Sequence, residues 1–198
     1  MLLQLRRSLL AMLVLTVICG LAYPLLETGL AQWWFPRQAN GSVGRDGSTL
    51  IGQTWKGAQW FHGRPDPDNP MASGPNDLGP ASAALAAQVR QSIAAEARLG
   101  VRRPPADLVT GSGSGLDPDI SPQAALAQVG AVSRARGLPE NQLRRLVRSE
   151  EQGRQLGFLG EPVVDVLQLN RALARLARTH RAEKAARPGA ARSQSPGG

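Results

Sequence analysis

Several kinds of residue are scarce, and each shortage closes off a class of chemistry. The chain of 198 residues holds one cysteine, Cys19, and two histidines, His62 and His180. A single thiol cannot form a disulfide within the chain. Neither histidine has a second ligand at metal-binding spacing, so residue supply alone excludes a Cys/His metal site. Aromatic residues make up 4% of the chain and cluster early, at Trp33, Trp34, Phe35, Trp55, Trp60 and Phe61. Nucleic-acid binders interleave stacking aromatics with basic residues spread over a face. The net charge of +8 is distributed otherwise: residues 171–192 carry six Arg and one Lys against a single Glu, and the middle of the chain is close to balanced. No nucleic-acid partner is expected on that distribution.

Charge is also missing from one long stretch. Ser8 to Leu26 is nineteen residues without a charge, preceded by Arg6 and Arg7 and ended by Glu27. At about 1.5 Å rise per residue this run reaches roughly 28 Å, near the hydrocarbon thickness of a bilayer. Tyr23, Trp33 and Trp34 follow at the depth of an aromatic belt, and Pro24 falls near the outer end, where a lost backbone hydrogen bond costs least. The two arginines place the N-terminus in the cytoplasm and the remainder outside. A cleaved signal peptide is the competing reading, with Gly29-Leu30-Ala31 as a small-x-small cleavage pattern and Arg6-Arg7 opening a twin-arginine-like string. The apolar run exceeds the roughly 7–15 residues of a signal sequence, which favours a retained anchor. Ile18 stands where a lipoprotein signal needs a small residue before Cys19. The expected organisation is a cytoplasmic N-terminus (1–7), a transmembrane helix (8–30), a soluble extracytoplasmic domain (31–178) and a disordered basic tail (179–198).

The soluble region reads as α+β. Thr49 to Trp55 and Gln59 to His62 have the composition of strands separated by turns such as Asn40-Gly41 and Asp46-Gly47. Residues 66–80 read as an extended loop. Leu85, Val89, Ile93 and Ala97 form a stripe at helical spacing that ends at Gly100. Asp107 to Thr110 reads as a short strand leading into the run Gly111-Ser112-Gly113-Ser114-Gly115. Ser121-Pro122 has the pattern of an N-cap followed by a first-turn proline, opening a helix to about Arg136. Leu143, Leu146 and Val147 mark another helix, and a last one covers about 166–178, with Val166, Leu169, Leu173 and Leu176 inward and Arg171, Arg175 and Arg178 outward.

Four groups of residues could carry chemistry. A glycine-rich loop after a strand can cradle phosphate on its backbone N–H groups. The 111–115 run, however, lacks the lysine of a Walker loop, the spacing of a dinucleotide fingerprint and the flanking pattern of a nucleophile elbow. A tight crossing loop is the plainer reading. His62-Gly63-Arg64-Pro65 could bind an anion or supply a base, but no carboxylate or nucleophile has a recognisable spacing to it. Glu161, in Gly160-Glu161-Pro162, has no second carboxylate paired with it, and this turn is expected to dock Phe158-Leu159 into the core. The arginine face of the last helix is a solvated face, with anionic lipid headgroups the alternative. No catalytic residue emerges.

Taken in order, these segments resemble a family. The match runs through Tyr23-Pro24-Leu25, Phe35-Pro36-Arg37-Gln38-Ala39-Asn40-Gly41-Ser42, Gly47 to Gln53, Trp60-Phe61-His62-Gly63-Arg64-Pro65 and Asn76-Asp77-Leu78-Gly79-Pro80. It continues through Asp107 to Pro118, Ile120-Ser121-Pro122, Ala135 to Leu138 and Gly153 to Asn170. Their order and spacing are similar to the C subunit of the Kdp-type potassium-transporting P-type ATPase. The resemblance implies a single-span, non-catalytic subunit of a bacterial inner-membrane complex that imports potassium with ATP. It implies a catalytic P-type ATPase subunit and a potassium-conducting subunit as partners, with membrane lipids around the anchor. It also implies a chaperone-like role that raises ATP affinity, with no tightly bound cofactor of its own, and a nucleotide contact at Ser112, Gly113, Ser114 and Gly115. Glu150-Glu151-Gln152 before Gly153-Arg154, and Asp165 where the family has Asn, depart from the family pattern. The implied contact also conflicts with the charge-based topology, which puts the Gly/Ser loop outside the cell, where ATP is scarce. A stand-alone exported ligand-binding domain, or a hydrolase using His62 or Ser114, are the alternatives from other classes.

Overall fold

The computed structural model describes residues 1–44, 46–66 and 71–186. It divides into two units, Met1–Ser48 and Thr49–Gly198.

In the first unit, helix α1 (Leu2–Val17) passes through a π-helical turn (Ile18–Ala22) into helix α2 (Tyr23–Trp34). Together they make one helix of 33 residues with a mean hydropathy of 2.4 over its most apolar window, none of it buried. It contains the expected span and extends past it at both ends. The π turn has a local cause. Pro24 has no N–H to donate, and its ring would crowd the carbonyl one turn back. The chain answers by widening the preceding turn, so that the Tyr23 N–H reaches back to the Ile18 carbonyl. A short helix α3 (Pro36–Ala39) and an antiparallel pair, β1 (Val43–Gly44) and β2 (Gly47–Ser48), complete this unit.

The second unit is α+β. Helix α4 (Ala83–Leu99) precedes strand β3 (Asp119–Ile120), helices α5 (Pro122–Arg136) and α6 (Glu140–Ser149), strands β4 (Glu151–Gln152) and β5 (Val163–Asp165), and helix α7 (Val166–Ala186). The strands form an antiparallel sheet in the order β3-β5-β4, with Val164 opposite both Ile120 and Glu151. Helix α5 begins as its sequence predicts: the Ser121 hydroxyl accepts from the Ala124 N–H at 3.0 Å, Pro122 occupies the first turn, and Gly137 closes the helix in the left-handed region at φ 66°. The core joins Ile120 and Val164 of the sheet to Val129 and Val132 of α5, Leu143 and Val147 of α6, Leu169 and Leu173 of α7, and Phe61. Burying each of these side chains stabilises the fold by about 1.5–3 kcal/mol.

Several expectations are corrected. Residues 49–55 and 59–62 are irregular, not strands. For Phe61 and His62 the reason lies in how their backbone is paired. Asn170 of α7 accepts from the Phe61 N–H at 3.0 Å and donates to the Phe61 carbonyl at 2.9 Å. Gln128 of α5 treats His62 the same way, at 2.7 and 3.0 Å. Two buried amide side chains thus stand in for a neighbouring strand. Residues 107–110 do not form a strand either: Ala106–Leu108 is a turn of 3-10 helix. Pro105 fixes the entry, and Thr110 turns its hydroxyl back onto the Ala106 carbonyl at 2.7 Å.

Phe158 and Leu159 do not enter the core; they are 69% and 48% exposed at the tip of a hairpin. Helix α7 continues past Arg178 to Ala186, so the expected tail starts inside a helix; its remainder, 187–198, lies outside the described residues, as does part of the expected loop 66–80. Helix α4 has the expected period, yet the one residue it buries is Glu96, and Ile93 remains 43% exposed.

Candidate functional site

Asp66 organises the Gly/Ser loop. Its Oδ1 accepts from the Ser112 N–H at 2.6 Å, and its Oδ2 accepts from the Ser112 hydroxyl at 2.6 Å and the Asp117 N–H at 3.2 Å. The hydroxyls complete the inventory: Ser112 Oγ accepts from the Gly115 N–H at 2.9 Å and Ser114 Oγ from the Leu116 N–H at 3.2 Å. The Ser114 carbonyl accepts from the Gly74 N–H at 2.7 Å and the Ser73 hydroxyl at 3.0 Å. A phosphate cradle needs several N–H groups converging on an empty position. Here the Asp66 carboxylate already takes the N–H groups of Ser112 and Asp117. The four residues implied as a nucleotide contact are together in one turn, with Ser112, Ser114 and Gly115 engaged within the fold; a Cβ added at Gly113 would meet nothing within 4 Å.

Beside this loop lies a cavity of about 320 Å³, walled in part by Gly52, Trp55, Arg64, Glu96, Leu108 and Val166. Arg64 ties the wall to the loop, donating to the Gly111 carbonyl at 3.1 Å and facing Asp117 Oδ2 at 3.8 Å. The Gly52 N–H donates to the Leu116 carbonyl at 2.8 Å, and a Cβ at position 52 would sit 2.8 Å from the Asp117 carbonyl oxygen. Only glycine allows that approach.

Burial shapes the electrostatics. Glu96 is 7% exposed, its Oε2 has no hydrogen-bond partner, and desolvation pushes its carboxyl up to about 7. Trp55 Nε1 and Arg64 Nε, on the same cavity, are also buried without partners. His62 is lowered by burial, partly offset by its bond to the Gly57 carbonyl. That bond, at 3.0 Å, requires the proton on Nε2, so this nitrogen is a donor and not a base. With Ser112 bound to Asp66 and Ser114 held in the turn, no Ser–His pair is assembled from the residues the hydrolase alternative names. Among the described residues there is no group of three or more His, Cys, Asp or Glu able to hold a metal. Glu161 pairs with Arg154 at the base of the exposed hairpin.

The family model described as the c chain of the K+-transporting ATPase, KdpC, matches residues 5–175. The chain belongs to the KdpC family. The potassium-transporting ATPase KdpC subunit of Methylorubrum extorquens is 50% identical, with 90% of this chain and 100% of that protein covered. The KdpC subunit of a Rhodopseudomonas palustris strain is 49% identical over 87% of this chain and 97% of its own length. That of Acidobacterium capsulatum is 48% identical over 84% and 95%. As a KdpC family member the chain is a membrane-associated subunit of a potassium-transporting ATPase, and its helix Leu2–Trp34 has the length and composition to cross a bilayer.

The structure brings His62, Arg64 and the Gly/Ser loop into one neighbourhood, which sequence reasoning had treated as separate groups. Sequence reasoning also missed Asp66, Glu96, Gln128 and Asn170. Nothing in their spacing marks them, because each acts on backbone or cavity far away along the chain.

Proposed function

We propose that the chain is an accessory, non-catalytic subunit of an ATP-driven potassium import complex, anchored by its N-terminal helix with the domain from residue 49 onward outside the cytoplasm. The observation that carries this reading is the apolar helix Leu2–Trp34, the one helix among the described residues long and apolar enough to cross a bilayer. One helix with no polar face encloses no ion pathway, so conduction falls to other subunits. The same holds for phosphoryl transfer, since the Gly/Ser loop lacks the lysine that would grip a phosphate and commits the Ser112 and Gly115 N–H groups to Asp66 and the Ser112 hydroxyl.

Its partners in this reading are the catalytic P-type ATPase subunit and the potassium-conducting subunit, with the domain seated over the outer mouth of the latter. Any rise in the ATP affinity of the catalytic subunit then comes through assembly, not through a nucleotide held at Ser112, Gly113, Ser114 and Gly115. Arg6 and Arg7 support the orientation by the positive-inside rule.

The test is to purify the complex with and without this subunit from mildly solubilised membranes of potassium-starved cells and measure ATPase activity. The reading expects co-purification with both large subunits and a higher apparent KM for ATP in its absence. Recovery of the chain alone, shortened near Ala31, would favour an exported ligand-binding domain. A reporter joined after Gly198 that works only in the cytoplasm would reverse the orientation.

A further inference from the structure

Strands β4 and β5 are joined by a hairpin whose apolar residues face outward. The Gln155 N–H donates to the Leu159 carbonyl and the Leu159 N–H to the Gln155 carbonyl, each at 2.9 Å, and the Phe158 N–H reaches the Gln155 carbonyl at 3.2 Å. At the base, Arg154 grips both oxygens of Glu161 at 2.9 and 2.8 Å. Leu156 adopts φ 53°, a left-handed conformation that a branched side chain rarely takes, followed by Gly157 at φ 82°. The turn therefore holds Leu156 and Phe158 out, at 83% and 69% exposure, with Leu159 at 48%. Strain that displays large apolar groups to water has no rationale within the domain, and strain of this kind is a mark of function.

We infer that this hairpin tip is the anchor by which the domain docks on the potassium-conducting subunit, inserting Leu156 and Phe158 into an apolar depression with a basic rim. The inference rests on the accessory-subunit reading and adds the residues that make the contact. Preorganisation suits an anchor, because the hydrogen-bonded turn has little conformational entropy left to lose on docking. Charge selects the occupant. Residues 150–161 carry Glu150, Glu151 and Glu161 against Arg154 alone, a formal net charge of −2. Lipid-binding tips offer free Lys or Arg to anionic headgroups. This hairpin's single guanidinium is already neutralised by Glu161, and the surplus is acidic. A protein pocket edged with cations complements it; an anionic leaflet does not.

The experiment uses the intact complex, captured through a tag on the potassium-conducting subunit, with wild type, Leu156→Ser/Phe158→Ser and, as a control exposed elsewhere, Ile93→Ser. Wild type and Ile93→Ser are expected to be recovered together with the complex, and the double variant to be depleted at least about tenfold, as loss of a docking anchor requires. Equal recovery of the double variant beside recovered wild type overturns the inference and leaves the accessory reading standing. Failure to recover wild type overturns that reading and this inference with it. A second measurement does not depend on the double variant folding: Phe158→p-benzoyl-phenylalanine, illuminated in membranes, is expected to cross-link to the conducting subunit. An adduct with lipid instead overturns the inference.

Discussion

Two loops of the second unit invert what their compositions suggest. The Gly/Ser run at 111–115 looks open and receptive, yet Ser112 is bound to Asp66 and the Gly115 N–H to the Ser112 hydroxyl. The 154–161 hairpin looks like core material, yet it presents Leu156 and Phe158 to solvent. Glycine and serine can satisfy each other locally, so such a run can end up closed. Apolar residues cannot be satisfied by water, so a rigid turn that exposes them points beyond the chain.

Substitutions can break or sharpen that contrast. The largest effect is expected from Asp66→Ala, which leaves the Ser112 N–H, the Ser112 hydroxyl and the Asp117 N–H without their acceptor. Chemical denaturation of the detergent-solubilised chain should show a loss of about 3 kcal/mol, and a change under about 0.5 kcal/mol would mean the loop is not held by Asp66.

Glu96, on the cavity beside the loop, comes next. Its folded carboxyl holds a proton up to about 7 while the unfolded one releases it near 4.5. The folded state therefore binds more protons in that window, and stability falls as pH rises through it, by at most about 1.4 kcal/mol per pH unit. The wild-type minus Glu96→Gln difference in stability should slope downward from pH 4.5 to about 7 and flatten outside that window; a level difference curve would refute the assignment. Gly52→Ala drives a methyl toward the Asp117 carbonyl oxygen and should cost about 1–3 kcal/mol, read from the same denaturation curves.

The smallest effects belong to the hairpin. Arg154→Met removes an exposed ion pair, and Leu156→Ser/Phe158→Ser removes side chains that touch solvent; each should shift stability by less than about 0.5 kcal/mol. A large loss from either would mean the tip packs within its own domain.

What was legible followed from local physics. Ser121-Pro122, the stripes of α6 and α7 and the charge-free run after Arg7 specify helices from local signals or neighbours three and four residues apart. The segment 49–62 misled because apolar and β-branched composition says that a stretch will be extended and partly buried, not what its backbone will bond. The partner turned out to be Asn170 and Gln128, in helices distant along the chain. Asp66 was invisible for the same reason. Phe158-Leu159 misled because hydrophobicity predicts burial in something, and within one chain the default something is the core.

The sequence by itself determined the long apolar N-terminal helix, the helix caps, the α+β class and membership of the KdpC family, since each depends on residue type at short spacing or on ordered segments along the chain. Only the tertiary structure decided that the Gly/Ser loop is closed by Asp66, that Glu96 is buried unpaired, and that the hairpin tip faces out. These depend on which distant groups meet and which are left without a partner, and pairing across the fold is set by packing geometry that no local pattern encodes.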